Sequence, residues 1–239
     1  MIRLVLIIIV IIPATMWYGL RMIWAVARNR PNAACVCDEA PRSWSSLLLR
    51  CSGVDVVLDN QRVIDPERPQ IIVANHTSWF DVLALAAHLP GRYVFVAKKE
   101  LERAPFFGPA VRACGHIFID RHDRSKALAS LAVARGFLEE QSPTIIMFPE
   151  GTRSATGELQ PFKKGAFVLA IQSGVDIVPT AIFGSREIMR KGSMLIRPGT
   201  VRIVFGEPIC VAGLGLEARD DLSRQARAAL GALQSSYAS

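Results

Sequence analysis

The sequence predicts an α/β fold: a single layered domain with a largely parallel central sheet flanked by helices, preceded by an N-terminal hydrophobic membrane helix. Three observations predict it. Apolar β-branched runs alternate with helical ones over most of the chain, the pattern of βαβ units. The run 144–148 is continuously apolar, as a strand covered on both faces should be. Residues 4–20 carry no charge at all.

Taken in order, that uncharged stretch comes first. At ~1.5 Å per residue it makes a helix of roughly 26 Å, close to the ~30 Å hydrocarbon core of a bilayer. Trp17, Tyr18 and Trp24 lie towards one end, where amphipathic rings favour the interface, and Arg21, Arg28 and Arg30 lie there too. Residues 1–30 are therefore expected to form a transmembrane anchor or an interfacial helix. Pro13 could bend the segment and Arg21 interrupts it, which suits the interfacial form. A cleaved signal peptide ending at Ala25-Val26-Ala27 is a third option, though Arg21 separates that site from the apolar run. In the first two forms the positive flank keeps the remaining chain on the cytoplasmic side of the cytoplasmic membrane.

Residues 31–45 read as a linker, because Pro31, Asn32, Pro41 and Ser43 break any periodic pattern. Residues 46–239 are expected to form the main folded domain. Its expected strands are 54–58, 71–74, 93–97, 116–119, 144–148, 176–182 and 201–205. Its expected helices are 78–88, 106–113, 124–141, 164–173 and 218–236.

Composition narrows the function classes. Hydrophobic residues make up 51% of 239, enough for a core, and the formal net charge is +7. A basic balance suits an anionic partner. The basic residues are dispersed and form no nucleic-acid-binding motif, so no nucleic acid is expected as a partner. The five cysteines form no C-x-x-C pair and read as free thiols in a reducing compartment. No metal site is expected. His88, His116 and His122 lack ligand spacing and read as structural or surface residues.

The chemistry concentrates in two segments. Asn75-His76-Thr77-Ser78-Trp79-Phe80-Asp81 follows the strand 71–74 and leads into a helix. Five positions apart within one helix, His76 and Asp81 would sit ~140° apart. Across a strand-to-helix turn they can converge. A neutral imidazole can then take a proton from a hydroxyl while the carboxylate fixes its tautomer. The same spacing is also a capping box with Ser78 as N-cap, and the two roles can coexist. Ser78 and Thr77 lack the turn of an activated nucleophile, so direct attack by a substrate hydroxyl is the simpler chemistry.

The second segment is Phe148-Pro149-Glu150-Gly151-Thr152-Arg153-Ser154, at the carboxyl end of the strand 144–148, where open α/β sheets place ligands. Gly151 allows close backbone approach, and Arg153 offers a planar fork matched to phosphate oxygens. Pro161-Phe162-Lys163-Lys164-Gly165 adds charge before the next helix. A surface turn with a solvated Arg is the plainer reading of these residues alone.

Both segments resemble the glycerolipid acyltransferase family: the first its H-x-x-x-x-D signature, the second its F-P-E-G-T-R-S motif at every position. Gly115-His116-Ile117-Phe118-Ile119-Asp120-Arg121 is similar to a further family block, and Val178-Pro179, more weakly, to another. The resemblance implies His76 as base and Asp81 as its orienting partner. It implies Arg121, Glu150, Gly151 and Arg153 at the acceptor phosphate, with Lys98 and Lys163 as further phosphate candidates, and Val178 and Pro179 at the acyl chain. It implies transfer from acyl-CoA or acyl carrier protein to 1-acyl-sn-glycerol 3-phosphate, giving phosphatidic acid for phospholipid biosynthesis, with no cofactor. Another lysolipid acceptor, such as lyso-ornithine lipid, fits the same motifs. A noncatalytic membrane-binding module leaves the two segments unexplained.

Overall fold

The computed structural model describes residues 2–120, 123–141 and 144–237. The sheet strands are β1 Val54–Asp59, β2 Gln70–Ala74, β3 Tyr93–Lys98, β4 Ile117–Ile119, β5 Thr144–Met147, β6 Ile177–Phe183 and β7 Gly199–Phe205. The helices are α1 Ile2–Ala27, α2 Ala33–Ser52, α3 Trp79–His88, α4 Phe107–Ala113, α5 Arg124–Gln141, α6 Gly165–Ser173, α7 Ser185–Ile188 and α8 Arg219–Tyr237.

The strands form one seven-stranded sheet in the order β1-β7-β6-β2-β5-β3-β4. From β6 to β4 every pairing is parallel; β7 turns back antiparallel to β6 and carries β1 beside it. Alternation along the central strands sends side chains to two cores. Ile72, Ala74, Ile146 and Val178 face a cluster completed by Leu83, Ala84 and Leu85 of α3 and Leu48 and Leu49 of α2. Ile71, Val73, Ile145 and Ile177 face the opposite cluster, covered by α5, α6 and α8 through Leu131, Phe167 and Leu222. Burial on both faces explains the unbroken apolar runs. β2 and β3 stand on either side of β5, so the carboxyl ends of these three strands open a crevice of the kind that binds ligands.

The region expected to be a linker is a correction. Residues 33–52 form one helix, and its buried residues Val36, Cys37, Ala40, Ser45, Leu48, Leu49 and Ser52 recur at helical spacing straight through Pro41. An interior proline costs a helix ~3 kcal/mol, and tertiary burial of this face offsets it. Arg42 adds to the hold: its guanidinium donates to the Leu89 and Gly91 carbonyls and covers the Tyr93 ring.

The free-thiol expectation is corrected as well. Cys37 of α2 and Cys114, just after α4, form a disulfide across 77 positions of sequence, with Cα atoms 5.2 Å apart. They meet inside a small third core, where Met22 and Ala25 of α1 pack with Val36, Ala40 and Ala110. Cys35, Cys51 and Cys210 are free.

Helix α1 is half covered. Ala14, Met22 and Ala25 are buried, while Ile9, Ile12, Met16, Trp17, Leu20 and Trp24 form an exposed apolar stripe. Ile9–Ala27 is long and apolar enough to cross a membrane, by length and composition.

Candidate active site

β2 ends at Ala74, and the next four residues are held one by one. Asn75 bridges to β6 with both ends of its amide: Nδ2 donates to the Ile182 carbonyl at 2.9 Å and Oδ1 accepts from the Ile182 N–H at 2.7 Å. Thr77 and Ser185 share a hydroxyl hydrogen bond at 2.9 Å, and the Ser78 hydroxyl donates to the Met189 carbonyl at 2.8 Å. This lattice fixes the turn that carries His76.

Asp81 is fully buried in the first turn of α3. Its Oδ2 accepts from the Thr77 N–H at 2.7 Å and the Ser78 N–H at 2.9 Å, and lies 2.8 Å from His76 Nδ1. One oxygen thus caps the helix and fixes the imidazole. Because Nδ1 is engaged, Nε2 is the ring nitrogen left to act at the cavity wall. The ring stacks on Phe148, with centroids 4.1 Å apart, which sets its plane.

The loop after β5 closes around the same residue. Gly151, at φ +73°, donates to the Phe148 carbonyl and completes a tight turn. The Ser154 N–H donates to the His76 carbonyl at 2.7 Å. The Glu150 Oε1 accepts from the His76 N–H at 2.8 Å, and its Oε2 accepts from the Gln160 N–H at 3.1 Å. Both backbone groups of His76 are therefore held by the 148–154 loop. Burial pushes the Glu150 carboxyl upward, and its two backbone bonds pull the other way.

His76 opens onto a cavity of about 650 Å³. Its lining includes the cations Lys98, Arg153 and Lys163, with Gly151 and Thr152 and the carboxylate of Glu100. The Arg153 guanidinium lies over the Trp79 ring, 5.1 Å from its centroid, so it is oriented without a carboxylate partner among the described residues. Lys98 is paired with Glu100 at 2.9 Å. The rest of the wall is mostly apolar and comes from four helices and β3, including Tyr18, Met22, Trp44, Val82, Phe95 and Phe107. An imidazole held by a buried carboxylate, several cations and a long apolar wall thus share one space.

An acyltransferase family model matches residues 55–183, more than half of the chain. This chain belongs to the acyltransferase family. The 1-acyl-sn-glycerol-3-phosphate acyltransferase alpha of Homo sapiens is 35% identical over 162 residues, 68% of this chain and 57% of that protein. The 1-acyl-sn-glycerol-3-phosphate acyltransferase of Chlamydomonas reinhardtii is 36% identical over 149 residues, 62% of this chain and 44% of that protein. The matches thus span about half the length of these relatives. The crystal structure of the 1-acyl-sn-glycerophosphate (LPA) acyltransferase PlsC from Thermotoga maritima superposes with a TM-score of 0.83 at 24% identity, covering 100% of this chain and 96% of that one. At that identity the likeness is one of fold.

Within this acyltransferase fold, several expected site residues take other places. Each Glu150 oxygen accepts from a backbone amide, so the carboxylate positions the loop carrying His76, and Glu150 is not among the residues that line the cavity. Val178 and Pro179 are buried in the middle of the sheet, paired with Ile72 and Val73, and neither lines the cavity. Central strand residues have both faces occupied, which leaves no room for a chain. Arg121 and His122 lie outside the described residues.

Two features escaped sequence reasoning. Much of the apolar wall comes from α1 and α2, and nothing local says that these fold over the sheet. His116 lines the cavity, and its Nδ1 accepts from the Phe95 N–H at 3.0 Å. Burial first, with nearby Arg92 adding to it, lowers its pKa to about 4, so it is neutral at pH 7. The alternation of β4 could have flagged it as facing inward.

Proposed function

We propose that this acyltransferase esterifies the free hydroxyl of 1-acyl-sn-glycerol 3-phosphate, with a thioester as donor and phosphatidic acid as product. One observation carries the reading: His76, locked by Asp81 in the tautomer that frees Nε2, faces a cavity with a cationic rim and an apolar wall. The relatives that are about 35% identical over the matched half of their length are named for this acceptor, which supports the choice.

The acceptor phosphate binds at Arg153 and Lys163, with Arg121 and Lys98 as further cations. Its hydroxyl gives its proton to Nε2 as the oxygen attacks the thioester carbonyl. The C–S bond then breaks and the leaving thiolate takes the proton back from the imidazolium. The Asp81 carboxylate, hydrogen-bonded to Nδ1, stabilises that imidazolium. The acyl chain lies along the wall built by α1, α2, α4 and β3 rather than at Val178. The apolar stripe of α1 seats the protein at the membrane that supplies the lipid, with the catalytic domain on the cytoplasmic side.

The test offers one labelled acyl group, as acyl-CoA and as acyl carrier protein thioester, to a panel of lysolipids and identifies products by mass. Phosphatidic acid as main product is expected. A dominant product from lyso-ornithine lipid, or no ester at all, would remove the proposed acceptor.

A further inference from the structure

Loop 190–198, between α7 and β7, carries an exposed patch that the proposed reaction does not use. Met194 and Leu195 are 67% and 55% exposed. Arg190, Lys191 and Arg197 flank them and are exposed too, and no acidic residue occurs between positions 188 and 206. The loop is built rather than loose. The Ser193 N–H donates to the Arg190 carbonyl at 3.0 Å, the Leu195 N–H to the Ser193 hydroxyl at 3.0 Å, and the Arg197 N–H to the Ile188 carbonyl at 2.9 Å. Ile196 turns inward onto the core, so its neighbours Met194 and Leu195 are held outward.

We infer that loop 190–198 is a second membrane-contact surface, whose apolar tip enters the interface while its three cations meet anionic headgroups. Two large apolar side chains fixed outward among positive charges are the composition of an interfacial element. Position supports this occupant. Ile11 of α1, and Met189 and Ile196 of the loop region, all pack on the same core cluster, so the loop and the apolar stripe of α1 lie on one side of the sheet. Lys191 Nζ also lies 3.4 Å from the Thr152 hydroxyl, so the contact borders the cavity rim. An acidic protein would satisfy the charges but not the pair Met194 and Leu195, on the same side of the sheet as the exposed apolar stripe of α1. The inference is independent of which acceptor is acylated.

The experiment uses the full chain carrying Leu195→Cys, reconstituted in phosphatidylglycerol vesicles, in phosphatidylcholine vesicles and in detergent micelles. A water-soluble maleimide is added, and labelling rates are read peptide by peptide by mass spectrometry. Native Cys210 is exposed and follows Ile209, which bridges to Ile177 at the amino end of β6, away from the cavity; it is the internal control. Labelling at position 195 should slow by ~10-fold or more in the anionic vesicles relative to the neutral ones, with Cys210 unchanged. Adding Arg190→Glu, Lys191→Glu and Arg197→Glu should abolish that difference. Equal rates at position 195 in both vesicle types overturn the inference. Protection by purified acyl carrier protein without vesicles, and none by vesicles, would give the surface to an acidic protein and overturn it equally.

Discussion

At the scale of single residues, His76, Glu150 and Arg153 differ in what each one touches. His76 sits on a loop rather than in the core, so His76→Ala should leave the fold intact and lower kcat by ~10²–10⁴-fold, the usual share of a general base. Circular dichroism and a thioester-release assay check the two halves. Glu150 and Arg153 separate by kinetic signature. Glu150→Gln keeps the shape but offers only one oxygen, so the His76 or the Gln160 N–H loses its acceptor. It should cost ~1–3 kcal/mol of stability and lower kcat, with the acceptor KM nearly unchanged. Arg153→Ala removes a cation from the cavity and, on the proposed phosphate role, should raise the acceptor KM ~10-fold or more, with a smaller effect on kcat. A raised KM in Glu150→Gln would place that carboxylate against the acceptor after all.

At the scale of elements, close approach decides the shape of the cavity. A Cβ on Gly108 of α4 would lie 2.0 Å from the Glu102 carbonyl oxygen. Gly108→Ala must therefore push α4 away from the preceding turn, and both line the apolar wall through Phe107 and Leu101. We expect a loss of ~1–3 kcal/mol, read by thermal denaturation, and an altered preference among acyl-chain lengths in competition assays. Gly19 plays a similar part in α1, where a Cβ would stand 3.0 Å from the Phe106 carbonyl oxygen. Small residues at both contacts let two helices form one wall.

At the scale of the whole molecule, stability should depend on pH through His116. Its pKa falls from 6.5 in the unfolded reference to about 4 in the fold. Between those values the unfolded chain binds a proton that the native chain does not. The stabilising contribution is therefore complete above pH 6.5 and is lost as pH falls towards 4. The loss is on the order of 3 kcal/mol. Urea unfolding across that range should show the slope, and His116→Asn, whose carbonyl can still accept from Phe95, should flatten it.

What could be read from the chain alone followed from local physics. All seven strands were legible because each centres on apolar, largely β-branched residues, and the two-sided burial of β5 shows in its composition. The segments carrying His76 and Arg153 stood out through their resemblance to the family's motifs; on the residues alone the first also read as a capping box and the second as a surface turn. Helix α2 was hidden by Pro41, whose cost is local while its compensation lies in Leu48, Leu49 and Arg42 packing against distant parts. The pairing of Cys37 with Cys114, the turning of Glu150 onto two backbone amides, and the apolar wall lent by α1 and α2 were decided only by tertiary structure. Each depends on which residues meet across the fold, and nothing periodic along the sequence encodes that meeting.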